Sequence, residues 1–335
     1  MELGLVGLGK MGGNMRTRLR NFDHTVVGYD RNPEISDADS LSDMVQKLSG
    51  DGPRVVWVMV PAGDPTRDTI NELGELLSEG DLVVDGGNSK FTDDVINAAA
   101  LGEKGIGFVD CGVSGGVWGL ENGYALMCGG SKEDVAKVQP AFDALRPEGE
   151  AGFVHAGEKP GAGHFSKMVH NGIEYAMMQA YAEGWELLQK VDLVDNVTDV
   201  FDSWREGTVI RSWLLDLLVA AVKEDTHLDK VDIVDNVPEI FASWRTGTVV
   251  RSWLLDLLVD QLRADEHLDQ LQGYAEDSGE GRWTVEAAIE NAVPMPAISA
   301  ALFARFVSRQ EDDVAMKAIA AMRNGFGGHA VTKKG

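Results

Sequence analysis

The chain has 335 residues, 44% of them apolar, so it can bury a full core and is long enough for two domains. A formal charge of −24 and a pI near 4.6 repel nucleic-acid phosphates and anionic membrane surfaces, which excludes both as expected partners. The acidic residues are spread along the chain rather than gathered in a tail, and read as a solvated surface.

Met1 leads directly into an apolar run with no basic leader, and no segment approaches the roughly twenty apolar residues that span a bilayer. Cys111 and Cys128, the two cysteines, lie in apolar or glycine-rich surroundings. That usage suits free buried thiols in a reducing compartment, so a cytoplasmic protein is expected.

From residue 1 to about 155, short apolar runs alternate with amphipathic stretches: "ELGLVGLG", "HTVVGYD", "RVVWVMV", "DLVVDGG" and "GFVDCGV". This alternation predicts strands joined by helical crossovers, a Rossmann-type doubly wound α/β domain over 1–162. After Gly163 the strand signals stop, and Leu-, Ala-, Trp- and Met-rich helical patterns predict an all-α domain over 163–335.

The opening "GLVGLGKMGGNM" sets Gly7, Gly9 and Gly12 in GxGxxG spacing between a predicted strand and a predicted helix. There the glycines permit a tight turn and let a pyrophosphate approach backbone N–H groups, so Gly7, Leu8, Gly9, Met11 and Gly12 are expected to bind a dinucleotide. Asp30, 18 residues beyond Gly12, ends the second predicted strand. Its carboxylate can accept from the adenosine ribose hydroxyls and would repel a 2′-phosphate, which favours NAD. Arg31 beside it keeps NADP as the alternative. Two further turns, "VPAG" from Val60 through Pro61 and Ala62, and "DGGNS" with Asn88, fall at strand C-terminal ends, where such a sheet binds its ligand.

"CGVSGG" places Ser114 before Gly115 and Gly116, a hydroxyl beside exposed backbone N–H groups that suits a substrate carboxylate. In "GHFSKMVHNGIEY", Lys167, His170, Asn171 and Glu174 share one helical face between apolar neighbours. A solvated ion-paired stripe is the plain reading. The apolar flanks and the position just after the nucleotide domain favour instead a desolvated lysine acting as general base, with Glu174 as the complementary acid.

Residues 191–230 align without a gap on 231–270, with identity at 26 of 40 positions. Each unit reads as a short helix ending near Gly207 or Gly247, followed by a longer helix through "RSWLLDLLV", so one helical hairpin occurs twice.

The motifs "GLGKMGGN", "VMVPAG", "DGGNS", "GVSGG", "GHFSKMVHNGIEY", "VIRS", "VPMP" and "FGGHAV" stand in the order seen in the 6-phosphogluconate dehydrogenases, and the length resembles their short, often NAD-linked form. The resemblance covers the whole chain except one copy of the hairpin. It implies oxidative decarboxylation of 6-phosphogluconate to ribulose 5-phosphate, with Lys167 as base, Glu174 as acid, and Asn171 and His170 orienting substrate. It also implies substrate contacts from Asn88, Ser114, Gly115 and Gly116, and a phosphate end formed by Tyr175, Arg305, Arg323 and His329, the last two from a second subunit. A homodimer or homotetramer through the helical domain is expected, and no metal.

Two departures stand out. The family hairpin "WRxGxxIRS" occurs as "WREGTVIRS" and "WRTGTVVRS", so Arg211 and Arg251 are equal candidates for one position. Where the longer members carry a lysine before "GTGKWT", this chain has Ser278 in "SGEGRWT", with Arg282 as a candidate substitute. The alternatives are a related non-decarboxylating β-hydroxyacid dehydrogenase and a catalytically silent scaffold extended by the repeat.

Overall fold

The computed structural model describes residues 1–50, 52–149, 151–190, 194–205, 207–208, 210, 237–248, 250, 253–265, 268–310, 312–327 and 332. Most of the first repeat copy beyond residue 205, Arg211, Arg251 and His329 lie outside them, as does the side chain of Arg323.

Seven strands form one sheet in the order β2-β1-β3-β4-β5-β6-β7. They are β1 (Glu2–Val6), β2 (Thr25–Tyr29), β3 (Val55–Val58), β4 (Leu82–Asp85), β5 (Gly107–Ser114), β6 (Ala125–Gly129) and β7 (Phe153–Gly157). The first five run parallel, β6 turns antiparallel to β5, and β7 is parallel to β6. The five strands expected from sequence are all present, and two more extend the sheet past β5.

Side chains alternate between the sheet faces, so each strand feeds two cores. Leu3, Leu5, Val55 and Trp57 point to one side, with Met15, Leu19 and Phe142. Val6, Val56 and Val58 point to the other, with Met44, Ile70, Leu73 and Leu101. Helices α1 (Lys10–Asn21), α2 (Leu41–Lys47), α3 (Asp64–Leu76), α4 (Phe91–Gly102) and α6 (Lys132–Leu145) supply those covering residues, and the short α5 (Gly119–Asn122) packs on α1. Burial on both faces explains why β3 and β4 read as continuous apolar runs.

The 29-residue α7 (Ala162–Lys190) leaves the sheet and carries the helical domain. Its N-terminus is capped from inside the sheet: Asp110 on β5 accepts from Gly161 N at 2.7 Å and His164 N at 2.8 Å. These bonds satisfy donors that a helix start otherwise leaves orphaned. The helices Glu280–Glu290 and Pro296–Ser308 pack against α7.

The two hairpin copies occupy different seats. In the second copy, Ile240, Trp244 and Val250 pack with Met127, Val154, Ala156 and Ala162 at the junction of sheet and α7. The matching stretch of the first copy, α8 (Val197–Ser203) with Phe201 and Trp204, packs on Tyr181, Trp185 and Leu188 near the far end of α7, and on Leu258. Among the described residues, no helix is long and apolar enough to cross a membrane. Cys111 and Cys128, register partners on β5 and β6, are both buried free thiols, and burial pushes both well up.

Candidate active site

A cleft of about 940 Å³ runs along the C-terminal ends of β1 to β5 and under α7. Gly7, Gly9, Met11, Asp30, Arg31, Val60, Pro61, Asn88, Ser114, Gly115, Gly116, Lys167, Asn171 and Glu174 all line it. Residues from both ends of the sequence pattern thus meet in one space.

The fingerprint glycines test whether a dinucleotide fits. Gly7 has φ +89°, and a Cβ there would meet Met59 O at 2.7 Å; at Gly12 a Cβ would meet Gly7 O at 1.9 Å. Packing of the chain itself demands those two. Gly9 is different: nothing lies within 4 Å of where its Cβ would be. It caps α1 with no side-chain hydrogen bond, so bare backbone stands at a helix N-terminus with room for a pyrophosphate. At the next strand, Asp30 Oδ2 accepts from Leu8 N at 2.7 Å and Oδ1 from Asn32 N at 2.9 Å. This ties the carboxylate that ends β2 to the glycine turn that follows β1. Leu8 itself is buried, and Ala62 is exposed outside the cleft lining.

On α7, Lys167 is buried, and Nζ donates to Asn171 Oδ1 at 2.7 Å. His170 Nδ1 lies 2.9 Å from the same oxygen, and Asn171 Nδ2 donates to Glu280 Oε2. That network fixes the amide orientation, since the flipped amide would aim its NH2 at the lysine. Burial lowers the Lys167 amine from its ordinary value, against the pull of Glu280 and Glu174. Burial raises the Glu174 carboxyl, with Lys167 opposing. His170 is fully buried and held well below the usual imidazole value by burial and by Lys167. It backs the lysine instead of lining the cleft, and its Nε2 has no hydrogen-bond partner among the described residues.

Across the cleft, Ser114 ends β5 and is followed by Gly115 at φ +132° and Gly116 at φ +54°. Two positive φ values in succession leave the turn open, and no atom lies near the Gly116 Cβ position. Asn88 sits on the turn shaped by Asp85, which accepts from Gly87 N at 3.0 Å and Ser89 Oγ at 2.8 Å. Beneath it, His164 Nδ1 and Asp94 Oδ2 pair at 2.8 Å with both side chains buried. The ligand atoms of Asp85, Asp94 and His164 cluster within 4.8 Å; the His164–Asp94 pair joins α4 to α7, while Asp94 Oδ1 and His164 Nε2 are buried with no hydrogen-bond partner among the described residues.

Tyr175 and Arg305 stand together, the guanidinium 3.7 Å from the ring centroid, next to Glu174 but outside the cleft lining. Ser278 is tied to Tyr175 OH and to Glu280 Oε2. Arg282 pairs with Asp277 at 2.8 and 3.0 Å and lies over the Phe306 ring. Its guanidinium is therefore committed elsewhere, and the candidate exchange of Arg282 for the longer members' lysine finds no support. Sequence reading missed Met59, Trp118 and Leu257, which line the cleft, and Glu280, which backs it. Leu257 belongs to the second repeat copy, in the helix Trp253–Ala264.

Comparison with known proteins places this geometry in a family. Residues 2–148 match the NAD binding domain of 6-phosphogluconate dehydrogenase, and residues 163–239 and 233–334 match the C-terminal domain of 6-phosphogluconate dehydrogenase. The two C-terminal matches meet inside the second repeat copy. An NAD(+)-dependent, decarboxylating 6-phosphogluconate dehydrogenase of Haloferax volcanii is 38% identical over 343 residues, covering 100% of this chain and 99% of its own. Among solved structures, Plasmodium falciparum 6-phosphogluconate dehydrogenase superposes with a TM-score of 0.64 at 20% identity, covering 100% of this chain and 99% of its own. Mycobacterium tuberculosis 3-hydroxyisobutyrate dehydrogenase gives 0.60 at 21%, covering 96% and 99%; at these identities the structural likenesses speak to the fold alone. With both domains matched and a full-length relative this similar, the chain belongs to the 6-phosphogluconate dehydrogenase family.

Proposed function

We propose that the protein oxidatively decarboxylates 6-phosphogluconate to ribulose 5-phosphate and CO2, using NAD in preference to NADP. The observation that carries this reading is the stripe of buried Lys167 and Asn171 with half-buried Glu174, facing a glycine-lined cleft. The Haloferax relative, named for this NAD-linked reaction, supports it.

Bound NAD supplies the hydride acceptor. Lys167, with its amine lowered by burial, takes the proton of the substrate 3-hydroxyl as the C3 hydride leaves. Asn171 orients that hydroxyl beside the amine, and His170 buttresses Asn171 from behind. The 3-keto acid loses CO2 because its new carbonyl takes up the electron pair left at C2, giving an enediol. Glu174, its carboxyl raised by burial, delivers a proton to C1. Ser114, Gly115 and Gly116 receive the carboxylate end, and Asn88 lies between cofactor and substrate. Tyr175 and Arg305 belong to the phosphate end, to which a second subunit adds Arg323 and His329.

Exposed apolar side chains on the last two helices, Phe303, Val307, Val314 and Met322, support association with a second copy through the helical domain. The two free buried thiols fit a cytoplasmic setting.

The test is NADH and NADPH formation with 6-phosphogluconate, with CO2 release followed in parallel. Equal turnover of unphosphorylated gluconate, or NADH formed without CO2, would favour the non-decarboxylating hydroxyacid reading. Fixed stoichiometry in solution with no turnover of either substrate would favour a silent scaffold.

A further inference from the structure

Glu280 is 3% exposed, sits in the first turn of the helix Glu280–Glu290, and is absent from the cleft lining. Its carboxylate nevertheless reaches the site from 109 residues along the chain, accepting from Asn171 Nδ2. The same oxygen accepts from Ser278 Oγ at 3.1 Å, and Ser278 is held by Tyr175 OH through its own N–H at 3.1 Å. In the longer members' motif "GTGKWT", quoted above, threonine stands where this chain has Glu280. The carboxylate is therefore one that the longer members' motif lacks.

We infer that Glu280 is a positioning residue of the site: with Ser278 it clamps the Asn171 amide so that Oδ1 faces Lys167, and its charge balances the lysine across that amide. This rests on the reading of Lys167 as the base. Two consequences differ physically. Accepting from Nδ2 is a matter of shape, which a glutamine retains. Supplying negative charge is not, and a glutamine loses it.

The charged groups around Lys167 are few. Its own helix offers Glu174 and the neutral His170, the helix Pro296–Ser308 offers Arg305 to Glu174, and the helix Glu280–Glu290 offers Glu280. Strand β5 presents Gly112 to the lysine stem and turns Asp110 toward His164. Glu280 thus sets one negative charge beside the amine, independent of the proton that Glu174 carries as the acid. Removal of Glu280 takes that negative charge away from the amine, which favours its neutral form.

The experiment compares wild type, Glu280→Gln and Glu280→Ala in two readouts: the pH profile of kcat/KM with 6-phosphogluconate, and the pH dependence of reductive methylation of Lys167, read by mass spectrometry. In Glu280→Gln, KM is retained, while the ascending limb and the labelling midpoint both move down by about one pH unit. In Glu280→Ala, kcat also falls about tenfold or more as the amide loses its acceptor, with NAD affinity unchanged. Coincident labelling midpoints in wild type and Glu280→Gln overturn the inference, as does wild-type kcat in Glu280→Ala. The labelling arm needs no turnover. A protein inactive on 6-phosphogluconate therefore sinks the functional reading, whereas an unmoved midpoint sinks the assignment of Glu280.

Discussion

The Trp244 indole stands edge-on to the His170 imidazole, ring centroids 5.4 Å apart at an interplanar angle of 80°, and donates to Met127 Sδ at 3.1 Å. The second repeat copy thus closes the back of the Lys167 helix. Its counterpart Trp204 stacks on Phe201 beside the distal part of α7.

That difference gives a paired experiment with a built-in control. Trp244, 1% exposed, should cost about 3–5 kcal/mol when cut to alanine, with a fall in kcat as His170 loses its backing. Trp204→Ala, at a half-buried position, should cost about 1–2 kcal/mol and leave kcat unchanged. Urea unfolding and steady-state turnover on the two variants check this; equal effects on turnover would mean that both copies support the site.

Gly9 and Gly12 separate ligand space from packing space. Gly9→Ala meets no protein atom and should fold with wild-type thermal stability, yet bind NAD at least about tenfold more weakly. Gly12→Ala forces a methyl onto the Gly7 carbonyl and should lower the melting temperature even without cofactor. Thermal scans with and without NAD distinguish the two, and undiminished binding in Gly9→Ala would place the pyrophosphate elsewhere.

Lys167→Met should lower kcat about 10²–10⁴-fold while NAD affinity stays unchanged. A base must be deprotonated to act, so wild-type kcat/KM should climb as pH rises through the burial-lowered value of the amine. An acid must hold its proton, so activity should decline again above the burial-raised value of Glu174. The bell belongs to the coupled pair, and Glu174→Gln should flatten its alkaline limb. A Lys167→Met enzyme with full turnover would reject the base.

His164 should make stability fall with rising pH. Burial alone would lower its imidazole, but Asp94, with Asp85 and Asp110 behind it, raises it to about 10. The folded value exceeds the ordinary 6.5, so the contribution is fully present below 6.5 and disappears as pH rises through about 10. At pH 6, His164→Gln should lower stability, because Asp94, whose carboxyl burial holds well above the usual range, must then take up a proton or stay charged without its cation. The gap to wild type should shrink by pH 10; urea midpoints at the two pH values measure it, and a constant gap would show that the pair is not ionised.

What the sequence makes legible follows from the range of each interaction. The GxGxxG turn, the strand-end glycines and the lysine stripe are local patterns whose periodicity points to one sheet edge and one helix face. Strand β6, "ALMCG", is wholly buried and lacks alternation, and its antiparallel return is set by the turns at Gly115, Gly116 and Gly123. His170 shares the spacing of the stripe, yet α7 is packed on several sides, so the residue turns inward to Trp244. Glu280 reaches Asn171 only through tertiary folding, and its one trace in the sequence is an acidic residue within "SGEGRWT". The two hairpins carry the same tryptophan and the same arginine, so composition cannot separate them; only the seat that each occupies does.

A duplication in which one module alone fills the seat behind the reaction centre leaves its twin without that duty. Among the described residues, a change at Trp244 therefore reaches the reaction centre through His170, whereas the same change at Trp204 is felt at the distal part of the long helix.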